Sequence, residues 1–302
     1  MTSTQVRGRA MLSLGRIYCD MVFNGLDAMP ELGRELFARD FTITPGGGAL
    51  ITAAHAVALG RPTALLARFG TDAVSNALEG QIDALGIDLR FLDRHPSAGP
   101  QVTVVMVQQE ERAFLSRRAG HAQPATFDEA IGWSEAGHLH IAEYATLHEI
   151  PNAVAAAKKR GLTVSLDPSW DAELIKDPMF FERAAGVDVF LPNLEEAREL
   201  THCEEPGEAL ARLARHFPVV ALKCGGDGAM LSMDGQVIRR STPVVEVVDT
   251  TGAGDAFNAG FLHAWLDGAA MDACLAAAIE AGSRSVQATG GTGSLGTAHH
   301  VA

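Results

Sequence analysis

Short apolar runs alternate with longer stretches of helical period along most of this 302-residue chain. The runs are Ala10–Leu14, Thr63–Ala67, His138–Ile141, Thr163–Leu166, Val187–Leu191 and Val219–Leu222. Runs of that length with almost no polar interruption read as strands buried on both faces. Between them, Thr52–Leu59, Ala73–Leu85, Ile150–Arg160, Leu194–Leu200, Gly207–His216 and Ala253–Leu266 repeat apolar residues at helical spacing. Strand–helix–strand repetition of this kind implies an α/β chain, with a mostly parallel sheet between two helical layers in an αβα arrangement.

Two regions break the rhythm, at about 17–44 and about 87–118. In the second, Val102–Gln108 alternates like a strand, Gln109–Arg112 is a polar turn and Ala113–Arg117 returns, which is a hairpin pattern. Both regions are expected to leave the main sheet and form a small β lid, inserted in a single domain spanning 1–302. Hydrophobic residues at 47% and charged residues at 20% suit a packed enzyme rather than a disordered chain. The net charge of −13 and the lack of a Lys/Arg block argue against a nucleic-acid partner. No apolar run reaches membrane-spanning length, and no leader-like apolar stretch opens the chain. Cys19, Cys203, Cys224 and Cys274 are widely spaced, so reduced thiols and a cytoplasmic location are expected.

The segment that carries chemistry is Asp249-Thr250-Thr251-Gly252-Ala253-Gly254-Asp255-Ala256-Phe257. It follows the β-branched run Val244–Val248 and opens an apolar helix. Glycines let backbone approach a ligand closely. The first N–H groups of a helix lack intrahelical partners and carry the positive end of its dipole, which suits a phosphate. A carboxylate at Asp255, beside such an anion hole, can take the proton of an attacking hydroxyl. The plainer reading, a first-turn acid that only complements the helix, fits the residue type as well. Rival nucleotide motifs fail: there is no G-x-x-x-x-G-K-[ST], and Gly46–Gly48 runs into Ala49, Leu50 and Ile51 rather than completing G-x-G-x-x-G.

The nine-residue string resembles the C-terminal signature of the PfkB family of carbohydrate kinases, which have a ribokinase-like fold. The resemblance implies Asp255 as catalytic base and Gly252, Ala253 and Gly254 as anion hole. It covers most of the chain. Pro45-Gly46-Gly47-Gly48-Ala49 resembles the family's N-terminal signature, in which Gly46 and Gly47 would lie against substrate hydroxyls. The Asn that the family often carries five residues after the first glycine is Ile51 here. Asp20 and Glu143 match substrate-contacting acids, although the Asn usual two residues before Asp20 is Tyr18.

Leu191-Pro192-Asn193-Leu194-Glu195-Glu196 resembles the family's N-x-x-E motif, which implies that Asn193 and Glu196 organise Mg²⁺ and ATP phosphates through water. The same residues also read as an N-cap with a capping-box Glu. Lys223-Cys224-Gly225-Gly226-Asp227-Gly228 resembles the nucleotide loop, placing Lys223, Gly225 and Gly228 near ATP. Asp249 and Thr251 match positions where several members bind a monovalent cation such as K⁺. Arg117 and Arg118 end the expected lid hairpin, and a basic residue there, Arg117 in particular, would suit an acidic sugar. His138 and His140 alternate on one strand face and read as structural. A homodimer through the lid is implied by the resemblance alone. An ATP-dependent sugar kinase is thus expected; a nucleoside kinase on the same fold and a non-catalytic sugar- or nucleotide-binding regulator remain open.

Overall fold

The computed structural model describes residues 8–108, 111–118 and 120–295. The chain runs β1 (Ala10–Leu14), β2 (Tyr18–Asn24), β3 (Asp40–Gly46), α1 (Gly48–Ala58), β4 (Thr63–Leu66), β5 (Arg68–Phe69), α2 (Ala73–Asp83) and β6 (Asp93–Arg94). It continues through β7 (Gln101–Gln108), β8 (Glu111–Arg117), α3 (Phe127–Ile131), β9 (Ala136–Ile141), α4 (Tyr144–Glu149), α5 (Ala153–Lys159), β10 (Thr163–Leu166) and α6 (Phe180–Arg183). Then follow β11 (Val189–Phe190), α7 (Leu194–Thr201), α8 (Pro206–Leu213), β12 (Val219–Lys223), β13 (Ala229–Met233), β14 (Gln236–Arg240), α9 (Ala253–Leu266) and α10 (Met271–Ser285).

Among the described residues the main sheet has eight strands in the order β14-β13-β12-β11-β10-β9-β1-β4. Every pair from β4 to β12 is parallel, and the β13–β14 hairpin closes one edge antiparallel. The fold is therefore α/β with a mostly parallel sheet. Side chains alternate across it. Leu12, Leu14, Leu139, Ile141, Val164 and Leu166 pack under Tyr144, Leu147 and Phe180 on one face. Met11, Val189, Leu191 and Ala221 meet Phe257, Phe261 and Leu275 on the other. Burying a Leu, Val or Phe side chain in this way stabilises the fold by about 1.5–3 kcal/mol each.

His138 and His140 belong to the second face, where they bond to Thr163 and Ser165 at 2.8 Å rather than gathering a metal. The run Val244–Val248, despite its β-branched residues, pairs with no strand among the described residues. The N–H groups of Val248 and Asp249 donate instead to Val286 O, and Val247 and Val248 are exposed.

A second, four-stranded sheet in the order β3-β2-β7-β8 stands over the carboxyl ends of the main strands. Its strands come from the two regions where the helical rhythm fails. The turn residues 109 and 110 of its hairpin lie outside the described residues. In open α/β sheets the crevice outside the carboxyl ends is where ligands bind. Here the four-stranded sheet roofs that crevice, leaving a cavity of about 810 Å³. No described helix is long and apolar enough to cross a membrane.

Candidate active site

The glycine triplet between β3 and α1 joins the two halves of the site. A Cβ on Gly46 would come within 2.4 Å of Asp20 Oδ2, one on Gly47 within 2.4 Å of Arg16 O, and one on Gly48 within 2.9 Å of Asp255 Oδ1. Gly47 also has φ +98°, where a side chain would strain the backbone. The triplet is thus packed between the Asp20 and Asp255 carboxylates, and each of its glycines has a steric reason.

Asp255 sits in the first turn of α9, whose N-cap is Gly252 in the left-handed conformation with φ +74° and no side-chain cap. No side chain caps the opening amides of the helix, and that of Ala253 donates to the backbone of Thr250 at 3.2 Å. A Cβ on Gly252 would lie 2.6 Å from Gly291 Cα and 3.1 Å from Ile51 Cγ2. Ile51 therefore wedges the loop at Gly252 against Gly291, which accounts for an apolar residue at that position. A Cβ on Gly254 would meet Lys223 Nζ at 3.5 Å.

Behind α9 lies a buried polar cluster. Lys223 Nζ donates to Asp167 Oδ2 at 2.6 Å and to Asn258 Oδ1 at 3.3 Å. Asn258 Nδ2 donates to the same Asp167 oxygen at 2.6 Å. Asn258 is fully buried and stands three residues after Asp255, on the same helix face. Glu196 joins from α7 and is also buried. Its N–H donates to Asn193 Oδ1 at 2.8 Å while Asn193 N–H donates to Glu196 Oε2 at 2.7 Å, a complete capping box.

The electrostatics follow from this crowding. Burial, then Asp167, pushes the Asp255 carboxyl up to about 7, with Lys223 opposing. Burial and Asp167 likewise raise Glu196 to about 7. Burial pulls Lys223 down, but Asp167 and Glu196 outweigh it and its net displacement is upward. Three carboxyls against one ammonium leave a deficit of positive charge, which suits a divalent cation. A carboxyl near 7 is tuned for proton transfer at neutral pH.

The cavity itself is lined by Asp20, Gly46, Glu143, Asp249 and Thr251 among the expected residues. Burial and Asp249 raise Asp20 to about 6. Glu143 is buried and held from two sides: Tyr18 O–H donates to its Oε2 at 2.8 Å and Thr146 Oγ1 to its Oε1 at 2.7 Å. The tyrosine at position 18 thus orients the neighbouring acid. Asp249 ties two loops together, accepting from Thr251 N–H and Oγ1 on one oxygen and from Gly290 N–H on the other.

Other expected residues fall elsewhere. Arg117 is exposed on the outer face of the four-stranded sheet; Arg118, one residue on, lines the cavity and pairs with Asp171 at 3.0 Å. Gly225 and Gly228 have positive φ, but a Cβ on Gly228 would collide with Arg240 O at 2.0 Å. Its role visible in the fold is therefore to admit the end of β14. Residues that sequence reasoning passed over are Asn258, Thr103, Ser116, Trp170 and Asp171. The signal for Asn258 was present, as a lone polar residue on the buried face of an apolar helix.

Comparisons with known proteins bear on the family and the fold. The profile of the pfkB family carbohydrate kinases matches residues 19–298. A ribokinase of Arabidopsis thaliana is 27% identical over 290 residues, covering 91% of this chain and 75% of that protein. A nucleoside kinase of Methanothermobacter thermautotrophicus is 26% identical over 273 residues, covering 88% and 85%. The solved structure of Arabidopsis thaliana ribokinase complexed with ribose and ATP superposes with a TM-score of 0.80 at 24% identity, over 94% of each chain, a likeness of fold. With the profile spanning nearly the whole chain, the protein belongs to the pfkB family of carbohydrate kinases.

Proposed function

We propose that the protein transfers the γ-phosphoryl group of ATP to a hydroxyl of a sugar or sugar-like molecule. The observation that carries this reading is the placement of Asp255. A carboxyl raised to about 7 stands in the uncapped first turn of α9, beside the Gly46–Gly48 backbone that leads to Asp20. In the transfer, the substrate oxygen forms a bond to the γ-phosphorus as the bond from that phosphorus to the ADP oxygen breaks. The hydroxyl proton goes to Asp255. Amides at Gly252, Ala253 and Gly254 would stabilise charge on the transferring group.

Asp20 and Glu143 face the cavity and would accept hydrogen bonds from hydroxyls, joined by the backbone at Gly46 and Gly47. Lys223 fixes Asp167 and Asn258 behind the base. Its position beside Gly254 supports a role near phosphate as well. Mg²⁺ fits the carboxyl-rich cluster, where Asn193 and Glu196 would hold it through water; bound there, it would neutralise phosphate charge. A K⁺ ion at Asp249 and Thr251 belongs to the same proposal, as do ATP contacts at Gly225 and Gly228 and pairing of two copies through the lid. Arg117 is exposed outside the cavity, and Arg118, which lines it, would be the basic residue near the substrate instead.

The test is ADP release with Mg·ATP across sugars, sugar acids and nucleosides, repeated with Asp255→Asn. Substrate-dependent release that collapses in the variant supports the kinase. Release unaffected by the substitution would remove Asp255 from the chemistry.

A further inference from the structure

The cavity face of the four-stranded sheet is banded. Strand register places Thr44, Asp20, Thr103 and Ser116 in one row, with Asp20 opposite both Thr44 and Thr103 and Thr103 opposite Ser116. Thr103 Oγ1 and Ser116 Oγ are 3.0 Å apart, a hydroxyl pair that extends the row's polar character. Two residues further along the strands, Val22 stands opposite Val105, and Val105 opposite Phe114. All three line the cavity. Alternate residues share a face and lie about 6.6–6.8 Å apart. A hydroxyl-binding row and an apolar row therefore run side by side, about one sugar ring apart.

Within the apolar row Val105 is buried and Val22 half-buried, but Phe114 is 63% exposed. Trp170, Val247 and Val248, which line the same cavity, are 44%, 60% and 51% exposed. Large apolar groups left in water around one cavity mark a surface that a ligand covers.

Charge narrows the ligand further. Among the described residues lining the cavity, Asp20, Glu143, Asp171 and Asp249 are acids and Arg118 is the one base, itself paired with Asp171. Such a site disfavours a carboxylate or phosphate on the substrate.

Building on the kinase reading, we infer that the acceptor is an uncharged sugar bearing an apolar or aromatic substituent, of the nucleoside class. Its hydroxyls meet the Asp20 row and its substituent meets the Phe114 row and Trp170. A free sugar would leave the apolar row wet, and a sugar acid or sugar phosphate would oppose the four carboxylates.

The experiment compares kcat/KM for adenosine, inosine, uridine and cytidine with that for ribose, ribonate and ribose 5-phosphate, using the full chain. Binding of each is measured separately by titration calorimetry. At least one nucleoside is expected to exceed ribose by about tenfold or more, with ribonate and ribose 5-phosphate lowest. Phe114→Ser and Trp170→Ala should each raise KM for that nucleoside by about tenfold, the loss of one stacking contact with its buried area. They should narrow its lead over ribose. Ribose equal to or better than every nucleoside, in turnover and in binding, overturns the inference and leaves the kinase reading intact. If no probe gives Asp255-dependent ADP release, the kinase reading fails instead, and the calorimetric order alone then decides whether the banded face binds a nucleoside.

Discussion

Replacing Asp255 with Asn should make the protein more stable as it makes it inactive. The carboxyl is raised from its ordinary 3.8 to about 7 by burial and by Asp167. Each pH unit of such a difference is worth about 1.4 kcal/mol, so ionised Asp255 opposes folding by up to about 4 kcal/mol near pH 8. Partial contact with solvent reduces this, and about 2–4 kcal/mol is the expected gain for a neutral isostere. With an unfolding entropy of about 2.1 cal/mol/K per residue, that is about 3–6 °C in Tm for a chain of this length.

The sign fixes the pH dependence. A carboxyl raised in the folded state contributes favourably below its unfolded value near 4, and that contribution is lost as pH rises through about 7. The advantage of Asp255→Asn should therefore be largest at pH 8, less than half as large at pH 5, and absent near pH 3. Scanning calorimetry or dye-monitored melting between pH 5 and pH 8 measures it. Turnover of the same variant should fall by about 10²–10⁴ with loss of the general base. A variant that melts at or below the wild type at pH 8, or whose gain is equal at pH 5 and pH 8, refutes the claim of a strained catalytic carboxylate.

The same geometry makes further predictions. Lys223→Met leaves Asp167 buried without its ammonium partner and should cost about 3–5 kcal/mol, read in denaturant unfolding. Where the variant still folds, the acid limb of its rate profile should move upward, because Lys223 opposes the rise of Asp255. Gly252→Ala forces a side chain to φ +74° and to within 2.6 Å of Gly291, so it should lower stability by more than about 1 kcal/mol and raise the KM for ATP. A small loss in both would count against the loop being held so tightly. In the wild type, kcat/KM should decline as pH drops through about 7, since Asp255 must be ionised to take a proton; a flat profile from pH 6 to pH 8 would contradict that role. Tyr18→Phe removes the hydroxyl that orients Glu143 and should raise substrate KM severalfold more than it lowers kcat.

Much of the frame was legible because its signals are local. The helix expected at Ala253–Leu266 has those bounds, since its apolar period and its glycine start both lie within the segment. Asn193 and Glu196 announced a capping box, and both of its hydrogen bonds are present. What depends on the third dimension was not legible. Alternation along Ala113–Arg117 shows that neighbours face opposite sides of a sheet but not which side meets the cavity, so Arg117 and Arg118 exchange places. Val244–Val248 has strand composition, yet Val286 O takes the amides of Val248 and Asp249, and the run joins no sheet among the described residues. Ile51 looked like a missing contact when read against a family pattern. Its reason, packing against Gly252 and Gly291, joins positions more than 200 residues apart. The cluster of Asp167, Lys223 and Asn258 is assembled from two strand ends and a helix, and no spacing in the chain encodes it.

The most direct test of the central claim follows the phosphorus. ATP labelled at the γ-phosphoryl is incubated with Mg²⁺, the protein and an accepted substrate, and the label is located after partial reaction. The account predicts label on a substrate hydroxyl, ADP in equal amount and almost no inorganic phosphate, with transfer lost in Asp255→Asn although ATP still binds. Label appearing only as inorganic phosphate, or transfer by the variant at the wild-type rate, would contradict it.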